Sequence, residues 1–117
     1  MPEEVTRAAD ALLDALKNTE AFRQYDALKE TVLADEVNRR LLERFMRAQS
    51  VLQLAAMAGS EPREEDAAEF EKLSTLLYES PEITDYLLAQ MKVQQLVAHT
   101  MEKITREAGI QVDFPEA

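Results

Sequence analysis

Residues 80–109 read SPEITDYLLAQMKVQQLVAHTMEKITREAG, and this stretch decides the fold of the chain. Ser80 is a natural N-cap and Pro81 suits the first helical position, where its fixed φ fits and its missing N–H costs nothing. Gly109 suits the position just past a helix end. The stretch therefore predicts one helix of about 28 residues, which spans about 42 Å.

Apolar and amide residues recur along this helix at alternating spacings of four and three, a pattern typical of a coiled-coil seam. The predicted self-association seam consists of Ile83, Leu87, Gln90, Gln94, Val97, Met101 and Ile104. A second stripe beside it holds Tyr86, Ala89, Val93, Leu96 and Thr100. The two glutamines have two interpretations. They are either buried amides that fix the register of association or a solvent-exposed part of the seam.

The rest of the chain predicts four more helices and no strands. They cover about residues 2–17, a segment starting at residue 20, a long segment from an Asp35 cap to about residue 58, and about residues 63–79. Gly59-Ser60-Glu61-Pro62 is the clearest turn.

The predicted fold class is all-α, with about five helices in a long hairpin or bundle with coiled-coil-like packing. The third and fifth helices are expected to supply both the core and the self-association surface. We expect a single helical domain over residues 1–110 and a short C-terminal tail over 111–117.

Composition narrows the class of protein. The 117 residues carry a net charge of −10, contain no cysteine and are 46% hydrophobic. Excess acid argues against a general nucleic-acid binder and against attachment to anionic membranes. Without cysteine, disulfides and thiolate-held metals are excluded. No uncharged apolar run approaches 18 residues and the N-terminus lacks signal-peptide regions, so we expect a cytoplasmic protein.

The sequence contains no recognisable catalytic or metal-binding arrangement. His99 is the only histidine, and the positions three and four residues before it hold Leu96 and Gln95, so the Glu-x-x-His signature of di-iron bundles is absent. Gly-rich phosphate loops and acidic calcium loops are absent. We therefore predict a protein that is not an enzyme and uses no metal or cofactor.

Three arginines of the third helix are a candidate partner surface. Arg40, Arg44 and Arg47 recur at about one-turn spacing, so they share one side of the helix. Such a cluster suits contact with an acidic partner or with phosphates. The alternative is an ordinary solvated helix face.

Three segments resemble the YlbF/YmcA family of small helical bacterial proteins, which includes YheA-like members. They are residues 20–25 (EAFRQY), residues 33–35 (LAD) entering the long third helix, and residues 76–87 (LLYESPEITDYL) opening the last helix. Phe45 and Gln49 add to the resemblance, which covers about residues 11–109.

The resemblance implies an all-helical protein that self-associates and acts without catalysis. Namesake members look like regulators of competence, sporulation and biofilm formation that modulate mRNA processing by ribonuclease Y in a complex with a third protein. Their C-terminal cysteines are linked to iron–sulfur clusters. Because this chain has no cysteine, cluster binding does not carry over.

Together these observations predict a non-catalytic cytoplasmic regulator or adaptor. It acts through protein–protein contacts, as a homodimer or higher oligomer, with possible protein partners in RNA processing. The alternatives are a small helical chaperone-like protein and a direct RNA-binding regulator. The acidic net charge disfavours the last of these.

Overall fold

A computed structural model of the chain describes residues 1–110 and shows five α-helices. They are α1 (Glu3–Lys17), α2 (Glu20–Ala34), α3 (Glu36–Met57), α4 (Glu64–Tyr78) and α5 (Pro81–Ala108). The all-α class and the five predicted helices are confirmed, with boundaries within about two residues of the predicted ones. The tail predicted for residues 111–117 lies outside the described residues.

Short-range signals set the helix boundaries. The Asp35 carboxylate accepts hydrogen bonds from the backbone N–H groups of Val37 and Asn38, at 2.9 and 3.1 Å, and so caps α3. Ser80 caps α5 more loosely, with its hydroxyl oxygen 3.4 Å from the Ile83 nitrogen. Gly59 has a φ of 70° and ends α3 in a Schellman motif, in which the Ser60 N–H donates to the Ala55 carbonyl. Each of these signals is readable in the sequence because it depends only on neighbouring residues.

The chain divides into two compact units. Unit 1 contains residues 1–28 and 86–117, and unit 2 contains residues 29–85. Both α2 and α5 supply residues to each unit. The prediction of one domain over residues 1–110 stays a prediction.

Unit 2 is built on an antiparallel hairpin of α3 and α4. Phe45 stacks on Phe70 with ring centroids 5.2 Å apart, and Arg44 pairs with Glu69 at 2.7 Å. In this hairpin α3 packs on the next helix in the chain. The reason is the short turn after Gly59, which reverses the chain and makes consecutive helices antiparallel neighbours.

The buried apolar side chains differ in number between the units. Among residues 1–110, the buried apolar side chains of unit 2 are Val32, Leu42, Leu73, Leu77 and Ile83, whereas those of unit 1 are Tyr86, Ala89 and Val93. Helix α1 contributes no buried residue. Unit 1 thus has a very small core for three helical segments, which leaves apolar surface on its helices only partly covered.

Candidate interaction surfaces

The buried side of α5 in unit 1 is the second stripe rather than the predicted seam. Tyr86, Ala89 and Val93 are buried, and Leu96 and Thr100 are half-buried. Consecutive helical residues are rotated by about 100°, so this stripe and the seam are adjacent faces of the same helix. The second stripe is therefore buried when the chain folds, and most of the seam stays partly exposed to solvent.

The structure places the seven predicted seam residues in three environments. Ile83 is 0% exposed and lies in the core of unit 2, so it is not available for contact with another molecule. The other six belong to unit 1. Leu87, Gln90, Val97 and Met101 are half-buried, while Gln94 and Ile104 are exposed. The available part of the seam therefore runs from Leu87 to Ile104.

Charged residues are absent from a broad side of α5 that includes this seam. The charges of the helix, Glu82, Asp85, Lys92, Glu102, Lys103, Arg106 and Glu107, all project elsewhere. We call the part of this side between Leu87 and Thr105 that is not buried the uncharged face; it comprises Leu87, Gln90, Met91, Gln94, Val97, Ala98, Met101, Ile104 and Thr105. Met91 is 42% exposed and was missed by the seam pattern. The positions of the charged residues around α5 place Met91 on the charge-free side, which the seam spacing alone does not show.

Two tyrosines pack beside the uncharged face in unit 1. The rings of Tyr25 and Tyr86 are stacked with centroids 5.7 Å apart and an interplanar angle of 16°, and Phe22 meets Tyr25 edge to face. Burial, together with the hydrogen bond and charge of Tyr25, raises the pKa of Tyr86 from 10.0 to about 12. The cluster attaches α2 to α5, and no further role for it follows.

Two of the three predicted partner-surface arginines already have carboxylate partners. Arg40 pairs with Glu36 and Arg44 with Glu69, both at 2.7 Å. Arg47 is exposed beside a shallow groove of about 250 Å³ between α3 and α4. Both Asp66 and Glu69 line that groove, so a phosphate placed there would meet negative charge as well as the arginines. The three arginines lie on one side of α3, with the carboxylates of Asp66 and Glu69 beside them.

Nothing in the described part of the chain resembles a metal or catalytic centre. Among residues 1–110, no group of three His, Cys, Asp or Glu side chains is placed to hold a metal ion. His99 is exposed on α5. No buried side-chain nitrogen or oxygen in the same range is left without a hydrogen-bond partner.

The described helices do not qualify as membrane-spanning segments. Within residues 1–110, every helix is too short or too polar to cross a bilayer. The 28-residue α5 has the length, but its seven charged residues interrupt any apolar span.

These observations define an all-α protein whose available features are helix faces. The chain belongs to the YlbF/YmcA family, described by control of the competence regulator ComK, which it matches over residues 5–107. The family resemblance found in the sequence is confirmed.

Relatives in several bacteria extend this result. A UPF0342 protein of Symbiobacterium thermophilum is 28% identical over 92% of this chain and 94% of its own length. The UPF0342 protein YheA of Bacillus subtilis is 30% identical over 74% of each chain. A solved structure titled a protein of unknown function (DUF964), from Bacillus stearothermophilus, superposes with a TM-score of 0.74. It covers 92% of this chain and 94% of its own at 18% identity, a likeness that shows the shared fold alone.

Proposed function

We propose that this protein is a non-catalytic regulator that self-associates through the uncharged face of α5 and acts on other proteins by contact. The observation that carries the proposal is that face itself. It runs about 27 Å from Leu87 to Thr105, has no charged residue, and is only partly covered by the chain. Apolar helix faces of this kind bury themselves against another helix when one is available.

Electrostatics favour this face over other surfaces for self-association. Each chain carries a charge of −10, so two copies repel one another over most of their surfaces. Contact through the uncharged face brings no like charges directly together. It also adds buried apolar area to unit 1, where three residues are buried.

A matched pair of glutamines tests the self-association. Gln94 lies on the uncharged face and its neighbour Gln95 lies about 100° away, and both are exposed. Sedimentation should show that Gln94→Glu weakens association by at least about tenfold, because it buries two like charges at the interface. Gln95→Glu should leave association unchanged. A wild-type chain that sediments as a monomer at all concentrations would overturn the proposal.

The finer part of the proposal concerns the regulated process. Family members are described by control of a competence regulator, and we propose that this chain acts in the cytoplasm on RNA processing by contact with ribonuclease Y. Purified protein should then retain purified ribonuclease Y from its own organism, with salt sensitivity set by the acidic surface. Lack of retention by the wild-type oligomer would exclude this partner while leaving self-association in place.

A chaperone-like role is the second candidate, and one feature of unit 2 favours it. Leu54 and Met57, at the end of α3, are 65% and 85% exposed. Exposed apolar side chains of this size can hold unfolded clients. Suppression of the aggregation of unrelated denatured proteins, lost on changing both residues to Ser, would support this role over the adaptor role.

A further inference from the structure

We infer that the partner of the uncharged face is the same face of a second copy, packed antiparallel so that Gln90 of each chain lies opposite Gln94 of the other. This inference rests on the self-association proposed above and adds a direction and a register to it. Its basis is the position of the two glutamines within an otherwise apolar seam, together with the distribution of charge along the chain.

The glutamines restrict the registers that an antiparallel pair can adopt. In antiparallel packing, an a position of one helix faces a d position of the other helix. The numbers of any two facing residues therefore add up to the same total. When Gln90 faces Gln94, Leu87 faces Val97, and the two Met91 side chains approach the two-fold axis. A shift by one heptad places Gln90 opposite Met101 and Gln94 opposite Val97. The shifted pairing places each glutamine opposite an apolar side chain, whereas the first register places the amides in the same layers, where they can bond to one another.

Charge decides between antiparallel and parallel packing. A parallel pair in register would also place each glutamine opposite its own copy. However, residues 81–85 at the start of α5 include Glu82 and Asp85 and no basic residue. Parallel packing would bring these two acidic turns to the same end of the helix pair, where they repel. Antiparallel packing places them at opposite ends and also opposes the helix dipoles.

The partial burial of the seam is consistent with this arrangement. Leu87, Gln90 and Val97 are half-buried within the chain and Gln94 is exposed, so each has side-chain surface left to contact a partner. Ile83 is fully buried in unit 2 and marks where the available seam stops. The layers from Leu87 to Val97 lie within unit 1, and the two-fold axis passes beside Met91.

Cysteine cross-linking tests the register directly, because the natural chain contains no cysteine that would give a background. Leu87→Cys protein mixed with Val97→Cys protein should form a disulfide-linked dimer. Its yield should exceed that of Leu87→Cys mixed with Ile104→Cys, the pair expected for the shifted register, by about tenfold. Leu87→Cys alone should cross-link poorly, since the two positions would lie about 15 Å apart along the axis.

Each other outcome has a definite meaning. Efficient cross-linking of Leu87→Cys to itself would establish parallel packing and overturn the inference while preserving self-association. Preference for Ile104→Cys would establish the shifted register and also overturn it. A chain that sediments as a monomer would overturn the proposed self-association itself.

A second measurement does not disturb the seam. His99 is exposed on the other side of α5, so a spin label on His99→Cys reports the geometry without entering the interface. The proposed register separates the two labels by about 21 Å along the axis, against about 10 Å for the shifted register and none for parallel packing. Replacing Gln90 and Gln94 together with Leu should keep the dimer and broaden this distance distribution, because the polar restriction on register is then removed. A distribution that stays narrow would show that the glutamines do not set the register.

Discussion

Tyr25 and Tyr86 stack nearly face to face in unit 1, with ring centroids 5.7 Å apart. The pair joins α2 to α5, and Tyr86 is one of the three buried apolar side chains among the described residues of its unit. Offset stacking of this kind stabilises beyond the area it buries, by about 0.5–1.5 kcal/mol. In a unit with so small a core, that contribution is a large part of what fixes α2 on α5.

Alkaline pH should destabilise the protein through Tyr86. Its pKa is raised from 10.0 to about 12 in the folded state, chiefly because burial disfavours the charged phenolate. The folded state therefore holds the proton more tightly than the unfolded state does. The contribution of Tyr86 is fully present below pH 10 and is lost as the pH rises from about 10 to about 12.

Tyrosinate absorbance measures this directly. Tyr86→Phe should remove the transition near pH 12, whereas Tyr78→Phe, at an exposed position, should leave it. If the folded protein showed no tyrosinate transition above pH 10, the burial of Tyr86 would be contradicted.

Burial on α4 should separate two otherwise identical substitutions. Leu73 is 0% exposed in the core of unit 2, while Leu76 on the same helix is 40% exposed. Leu73→Ala should lower the free energy of unfolding by about 2–5 kcal/mol, because it removes buried contacts and leaves a cavity. Leu76→Ala should cost less than about 1 kcal/mol. Urea denaturation followed by circular dichroism gives both values, and equal losses would argue against the α3–α4 packing.

The Asp35 cap should contribute measurably to unit 2. Its carboxylate accepts two backbone N–H groups at the start of α3. Asp35→Ala should reduce the free energy of unfolding by about 1 kcal/mol, since those donors lose their partner. Asp10→Ala is the control, because Asp10 is exposed within α1. A change as small as that of the control would show that water replaces the cap at no cost.

The turn after α3 should require glycine. Gly59 has a φ of 70°, and no atom lies within 4 Å of the position that a Cβ would take. Gly59→Ala should therefore cost about 1–2 kcal/mol through backbone strain alone, without a steric clash. Ser60→Ala, at the next residue, should be near neutral. Thermal unfolding of the two variants would distinguish them, and no loss for Gly59→Ala would mean that the turn adopts another conformation.

The sequence predicted the helices well because their signals are local. Asp35, Ser80 and Pro81 act on the turn of helix that they begin, and Gly59 and Gly109 end helices through a backbone conformation open to glycine. The interior of each helix follows from an apolar period that needs only the residues within it. For this reason α5 was predicted from Ser80 to Gly109 and is observed from Pro81 to Ala108.

The candidate surfaces were predicted less completely because exposure depends on the partners that a helix acquires. The seam and the second stripe of α5 are both apolar and lie side by side, so their periodicity does not show which one faces the core. The spacing of Arg44 likewise indicated a candidate partner surface, but it could not show that Glu69 of another helix pairs with this arginine.

The sequence by itself determined the five helices, the turn at Gly59 and the charge-free side of α5, because capping, helical period and charge placement are properties of neighbouring residues. Only the tertiary structure decided that α3 packs on α4, that Ile83 enters the core of unit 2, and that Tyr86, Ala89 and Val93 form the buried side of α5. These outcomes depend on contacts between residues far apart in the chain, where several apolar stripes compete for the same core and only the packed structure selects among them.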